Sequence, residues 1–268
     1  MRCDDVIMRS TKRRRALDSL RALLSGFYGK TRGETFPVFV ERRKAYEVLS
    51  PSWETSKYLR GVKCDMQKRC DDISGHREAR LECQKLLQVK PQLHHVNMSL
   101  VNDHVKSHDH HGYLPEQYKN PRLLELLSRT ADVAMAYHFE RIADPSHKSK
   151  MVRAGIGRLV AMLSEGLDPD TKTAKLSLYS THDSCLVPLL MMLDAYPGEW
   201  PKFGAHVIIE LWQDTEEDKW TVRVMYNWSV LTLSICAPAR LCPLVKFQAL
   251  LYTYAMSKEE HDEICDFS

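Results

Sequence analysis

No two cysteines in this 268-residue chain are spaced CxxC, which excludes a zinc ribbon or a thioredoxin-type redox site. There is no run of the roughly 18 consecutive apolar residues that a membrane-spanning helix needs. The opening residues, Met1-Arg-Cys-Asp-Asp-Val-Ile, have no apolar stretch of the kind that makes a signal peptide. Internal repeats and low-complexity tails are absent. A formal net charge of only +3 gives no electrostatic footprint for nucleic acid or a membrane surface. The longest basic run, Lys12-Arg-Arg-Arg15, is short and reads as a solvated helix start. What the chain does have is 44% hydrophobic residues, enough for a sizeable core.

Read in order, the chain alternates strand-like and helix-like segments. Val6-Ile-Met8 is a buried strand candidate, followed by the polar turn Arg9-Ser-Thr11. Ala16, Leu17, Leu20, Leu23 and Leu24 then fall on one helical face, ended by Gly26 or Gly29. Phe36 to Val40 is a further strand. From Pro51 to about Pro115 charged residues, cysteines and histidines are scattered, which reads as an inserted, mostly helical lobe. Leu123 to Arg141 predicts a long helix with Leu124, Leu127, Val133, Ala136 and Tyr137 on one side, and Met151 to Leu163 a second. Gly155 and Gly157 weaken that second helix and allow close packing; with no third glycine and no strand before them they are not a dinucleotide fingerprint. Ala205–Trp212 and Trp220–Tyr226 alternate as two strands of an antiparallel hairpin, and Leu244–Tyr254 is a last amphipathic helix. The expected organisation is an α/β core over residues 1–50 and 119–268 with the lobe at 51–118.

The most informative stretch is Leu176-Ser-Leu-Tyr-Ser-Thr-His-Asp-Ser-Cys-Leu-Val-Pro-Leu-Leu190. Leu176, Leu178 and Tyr179 begin it as a strand, and Leu186, Val187, Leu189 and Leu190 continue it as a helix with Pro188 near its first turn. His182 and Asp183 sit at the switch between the two, where open α/β sheets place their ligands. Such a pair can bind an anion and move a proton; the plain alternative is a helix-capping Asp beside a polar loop His. Arg15 occupies the first turn of the other strand–turn–helix unit, a position suited to a phosphate oxyanion, and a plain surface arginine is the alternative. His94, His95, His104, His108, His110 and His111, with Asp103 and Asp109 among them, could hold a divalent ion. They match no defined ligand spacing such as HExxH, and a polar loop beside an anion pocket is the expectation.

Eight cysteines permit disulfides, and Cys236 and Cys242 bracket a proline-containing loop that a local bridge could close. With the sequons Asn97-Met-Ser99 and Asn227-Trp-Ser229, they lean towards a secretory or lumenal route.

Two of these stretches resemble one family. Met8-Arg-Ser-Thr-Lys-Arg-Arg-Arg15 is similar to the RST-x-x-x-R segment of the histidine acid phosphatases, and Tyr179-Ser-Thr-His-Asp-Ser-Cys-Leu-Val-Pro-Leu to their late HD segment. Glu47-Val-Leu-Ser-Pro51, Trp200-Pro-x-Phe203, Ile209-Glu-Leu-Trp-Gln213 and Leu241-Cys-Pro-Leu244 give the nearest likeness to the lysophosphatidic acid phosphatase type 6 branch. Glu210-Leu-Trp-Gln-Asp214 and Val222-Arg-Val-Met-Tyr-Asn227 also resemble the 2-phosphoxylose phosphatase branch. The resemblance implies a phosphoglycerate mutase-like α/β core, a mixed and mostly parallel sheet flanked by helices, carrying an inserted mainly helical lobe. It implies hydrolysis of a phosphate monoester, a lysophospholipid among the candidates, through a phosphohistidine. Arg15 would bind the phosphate, His182 would contact it and Asp183 would protonate the leaving alkoxide. No cofactor or metal is implied, because arginines and imidazoles supply the positive charge. Arg9 matches the motif and is assigned a structural role. Asp103 and His111 reproduce an Asp–His spacing of the nearest branch, which makes His111 a possible pocket residue.

The departure from the family is its nucleophile. The RHGxR motif that carries it occurs nowhere in the 268 residues; Gly75-His-Arg77 has the order scrambled, and His110-His-Gly112 has no arginine ahead. By position the motif is expected before Met1, so this chain is expected to be incomplete and without turnover. The alternatives are a pseudophosphatase that binds phosphate or phospholipid as a scaffold, and a His-rich metal-binding module at 94–111.

Overall fold

The structure, a computed structural model, describes residues 5–29, 37–40, 48–49, 59, 61, 75–88, 98–140, 145–171 and 174–264. The chain divides into two compact units. One comprises Met1–Leu59, Ser149–Tyr196 and Pro201–Ser268, the other Arg60–Lys148 and Pro197–Trp200.

In the first unit, strand β1 (Val6–Ser10) leads into helix α1 (Arg14–Tyr28) and on to β2 (Phe39–Val40). Gly29 closes α1 with φ +79°, a conformation that costs glycine little. β1 lies between β2 and β3 (Leu176–Ser180), parallel to both. Parallel strands need crossover helices, and α1 supplies one. It packs Leu20 and Leu24 on Met8, with Val6, Val38 and Leu178 around them. Ala16, Leu20 and Leu24 are buried as expected, but Leu23 remains 47% exposed. Arg9 lies over the ring of its ladder partner Phe39, 5.1 Å from the centroid.

The other strands form a second, antiparallel sheet. β4 (Val207–Asp214) and β5 (Lys219–Tyr226) make the expected hairpin, with Asp214 opposite Lys219. β5 also pairs with β6 (Ser229–Val230) and β7 (Cys242–Pro243), and Cys236 is bridged to Cys242. On this sheet Glu210 accepts a hydrogen bond from Arg223, whose guanidinium lies 5.0 Å from the Trp212 ring centroid. Helices α5 (Pro145–Gly166, in this unit from Ser149), α6 (Asp183–Met192), α7 (Leu244–Tyr254) and α8 (Lys258–Ile264) also belong here. Pro188 is the sixth residue of α6, deeper than the first turn, and is buried with Val187, Leu189 and Leu190.

The second unit contains α2 (His76–Leu86), α3 (Met98–His110) and α4 (Pro121–Glu140). Ala79, Cys83, Met98, Val105, Leu123, Leu126 and Leu127 form its core. The buried face of α4 is Leu123, Leu126, Leu127, Thr130 and Ala131, turned from the one read off the sequence. Where the sequence suggested a polar loop, residues 98–110 are a helix. Met98, Asn102 and Val105, at i, i+4 and i+7, give it a narrow buried stripe. His94 and His95 lie outside the described residues.

A pH effect follows from α8. His261 is 5% exposed and Arg153 binds its neighbour Glu260 at 3.1 Å. Burial holds the imidazole below its usual 6.5, with the Arg158 charge acting the same way and Asp262 opposing. A group whose pKa falls on folding stabilises the fold above its unfolded value and loses that contribution as pH drops through the folded one. Urea denaturation should therefore show stability falling below about pH 6.5, and less steeply in His261→Gln. Identical slopes in the two proteins would refute the assignment. The depressed carboxyls of Glu210, Glu260 and Asp262 add their losses only at lower pH, from the usual carboxylate range downward.

Candidate active site

β1 and β3 run parallel in register, Ser10 opposite Ser180, so their carboxyl ends stop side by side. The Thr11 N–H extends the ladder by donating to the Ser180 carbonyl at 3.2 Å. Two segments about 170 positions apart are thereby joined, and Thr11 Oγ1 lies 3.0 Å from His182 Nε2. Thr11 is 2% exposed, whereas His182 and Asp183 are half-buried. A buried hydroxyl on one ring nitrogen fixes the orientation of the imidazole.

The turn after β3 is held by three side-chain contacts to two backbone carbonyls. Ser180 Oγ donates to the Ala16 carbonyl in the first turns of α1 at 2.7 Å. Thr181 Oγ1 donates to the Leu49 carbonyl at 2.5 Å, and Cys185 Sγ lies 3.3 Å from the same oxygen. His182 is the residue before α6, in an extended conformation, and Asp183 opens the helix. Asp183 Oδ1 accepts the Ser184 N–H at 2.7 Å. Its side chain therefore lies in the first helical turn. Asp183 thereby satisfies one of the open N–H groups at the start of the helix. Cys185 is not a nucleophile here: burial pushes its thiol up to about 12.

Arg15 sits in the first turn of α1, exposed, one residue before the Ala16 whose carbonyl binds Ser180. His182, Asp183 and the start of α1 thus belong to one strand-end cluster in the first unit. His111 belongs to the second unit, in the turn after α3. It is exposed and stacked on Tyr113 with ring centroids 6.3 Å apart. Thr11, Ser180 and Thr181 stand within the two sequence motifs without a chemical role of their own. The signal for them was a run of hydroxyl residues at the end of each strand. Leu49 acts through its backbone carbonyl, which no sequence pattern marks.

The second unit also has an open cleft of about 360 Å³ lined by Glu125, Ser128, Arg129, Asp132, Val133 and Gly198. There burial raises the Asp132 carboxyl above its usual range, and Asp132 accepts the Trp200 N–H at 2.8 Å. Among the described residues, no three His, Cys, Asp or Glu side chains converge to hold a metal ion, and no helix is long and apolar enough to cross a membrane.

Fold and site together define an α/β protein with a His-Asp turn at the carboxyl edge of a parallel sheet. Residues 1–227 match the histidine phosphatase superfamily (branch 2), and the chain belongs to that superfamily. Lysophosphatidic acid phosphatase type 6 of Mus musculus is 29% identical over 275 residues, covering 97% of this chain and 62% of the relative. 2-Phosphoxylose phosphatase 1 of Homo sapiens is 39% identical over 77 residues, 25% of this chain and 16% of the relative. Hafnia alvei phytase, solved with myo-inositol hexakis sulphate, superposes with a TM-score of 0.67 at 12% identity, covering 97% of this chain and 81% of the phytase. The chain therefore spans a little over 60% of the length of the type 6 relative it matches.

Proposed function

We propose that this chain carries the phosphate-binding and proton-donating side of a phosphomonoesterase site that works through a phosphohistidine. The observation that carries the reading is the 3.0 Å contact between Thr11 and His182, which joins the RST and HD segments at two neighbouring strand ends. In this reaction a histidine nitrogen bonds to phosphorus as the ester P–O bond breaks. The leaving alkoxide takes its proton from the Asp183 carboxyl. Water then attacks the phosphohistidine, returns a proton to Asp183 and releases inorganic phosphate. Arg15 and His182 face the phosphoryl oxygens and stabilise their charge. The type 6 relative's name makes a lysophospholipid the proposed substrate.

The attacking histidine of this family belongs to an RHGxR motif, which these 268 residues do not contain. The expected behaviour of the chain itself is binding without turnover. Calorimetric titration with inorganic phosphate should show affinity falling about 10- to 100-fold in His182→Ala and in Arg15→Ala, the value of a charge-assisted hydrogen bond. Unchanged affinity in both variants would refute the site. Hydrolysis of p-nitrophenyl phosphate above the His182→Ala background would refute the absence of turnover.

A further inference from the structure

Residues 98–110 of the histidine-rich segment are a helix, and this gives their spacing a meaning that it lacks in a loop. His104 and His108 are four residues apart on α3, so their side chains leave the helix on one face, one turn apart. Their ring centroids are 4.1 Å apart with planes tilted by 45°. His108 Nδ1 lies 2.9 Å from the backbone carbonyl of His104. A carbonyl oxygen can only accept, so Nδ1 carries the proton and the lone pair of the neutral ring is on Nε2. An imidazole anchored by its other N–H to a backbone carbonyl is the usual state of a metal-ligating histidine.

The surroundings favour a cation. His108 lies in the last turn of α3, where the unpaired carbonyls make the negative end of the helix dipole. Asp103 and Asp109 are exposed on adjacent positions and add negative potential. The buried stripe of this helix, Met98, Asn102 and Val105, contains neither histidine and holds the helix in place.

We propose that His104 and His108 form a two-imidazole binding site for a late first-row divalent cation, with water in the remaining coordination positions. Bonds of about 2.0–2.1 Å from two nitrogens to one ion fit rings this close. Imidazole ligands suit Cu²⁺, Ni²⁺ and Zn²⁺, and the order of affinity should put Cu²⁺ first. The site is independent of the phosphate chemistry and does not rest on it.

The test is isothermal titration of the untagged 268-residue chain with each chloride salt in turn. The expected result is binding that is tightest for Cu²⁺, about tenfold or more weaker in His104→Ala and in His108→Ala, and unchanged in His110→Ala. His104→Ala keeps the His108 hydrogen bond to the backbone and so separates ligation from helix structure; circular dichroism confirms that each variant is folded. Acidification should release the metal, since protons compete for the same nitrogens. No binding by the native chain, full binding by the His104→Ala/His108→Ala double variant, or an equal loss in His110→Ala would each overturn the proposal.

Discussion

Gly157→Ala is expected to destabilise the first unit by about 1–3 kcal/mol, the cost of overpacking a well-filled contact. A Cβ built at Gly157 would stand 2.7 Å from Met256 Cβ and 3.0 Å from the Tyr254 carbonyl oxygen. Neither neighbour is the free end of a flexible side chain. The Met256 N–H donates to the Gly157 carbonyl at 3.1 Å, and Arg153 Nη2 donates to the Ala255 carbonyl at 3.1 Å, so the strap after α7 is fixed against α5. Retreat of the strap would break these bonds. The gain in helix propensity from Ala, about 0.8–1 kcal/mol, offsets only part of the clash. Gly155, two residues earlier on the same helix, meets nothing within 4 Å. Gly155→Ala should therefore stabilise by up to about 1 kcal/mol. Urea denaturation of the two variants should give shifts of opposite sign; the same sign in both would show that the close approach at Gly157 is not a constraint.

Thr11→Val removes a hydroxyl while keeping the branched shape. Thr11 is almost fully buried, and its Oγ1 is 3.0 Å from His182 Nε2. Taking away one partner of a buried hydrogen bond costs about 1–3 kcal/mol. The expected loss is divided between folding stability and the orientation of His182. Phosphate affinity should fall by about tenfold, the His182 ring nitrogens should shift in NMR spectra, and Thr11→Ser should restore both. If Thr11→Val changes stability alone, the hydroxyl is a packing element and does not position the imidazole.

The segment from Leu176 to Leu190 was legible because two periods meet in it: a short apolar strand, then leucines at helical spacing. That pattern placed His182 and Asp183 at the switch, and β3 and α6 meet there. The hairpin of β4 and β5 was legible for the same reason, through alternation on each side of an acidic turn. The depth of Pro188 was misread because α6 is apolar all round and its pattern does not mark where the helix begins. The face of α4 was misread because Leu123, Leu124, Leu126 and Leu127 fit more than one stripe, and only packing against α2 and α3 selects among them. The helix at residues 98–110 is not legible in the sequence because a buried stripe of Met98, Asn102 and Val105 is too thin a signal among so many polar residues.

The sequence by itself determined the two strand–turn–helix motifs, the family they resemble and the chemistry of their side chains, since each depends on residues near one another in the chain. Tertiary structure decided which of those residues meet. Thr11 reaches His182 only because β1 and β3 are neighbours in a parallel sheet, a pairing about 170 residues distant in sequence. It also decided that Leu49 anchors the HD turn through a carbonyl oxygen, and that Gly157 rather than Gly155 bears the close contact. The reason is the same in each case. Local patterning fixes what an element is and which groups it displays, but the partner of a side chain comes from how distant elements pack, and that information is spread over the whole chain.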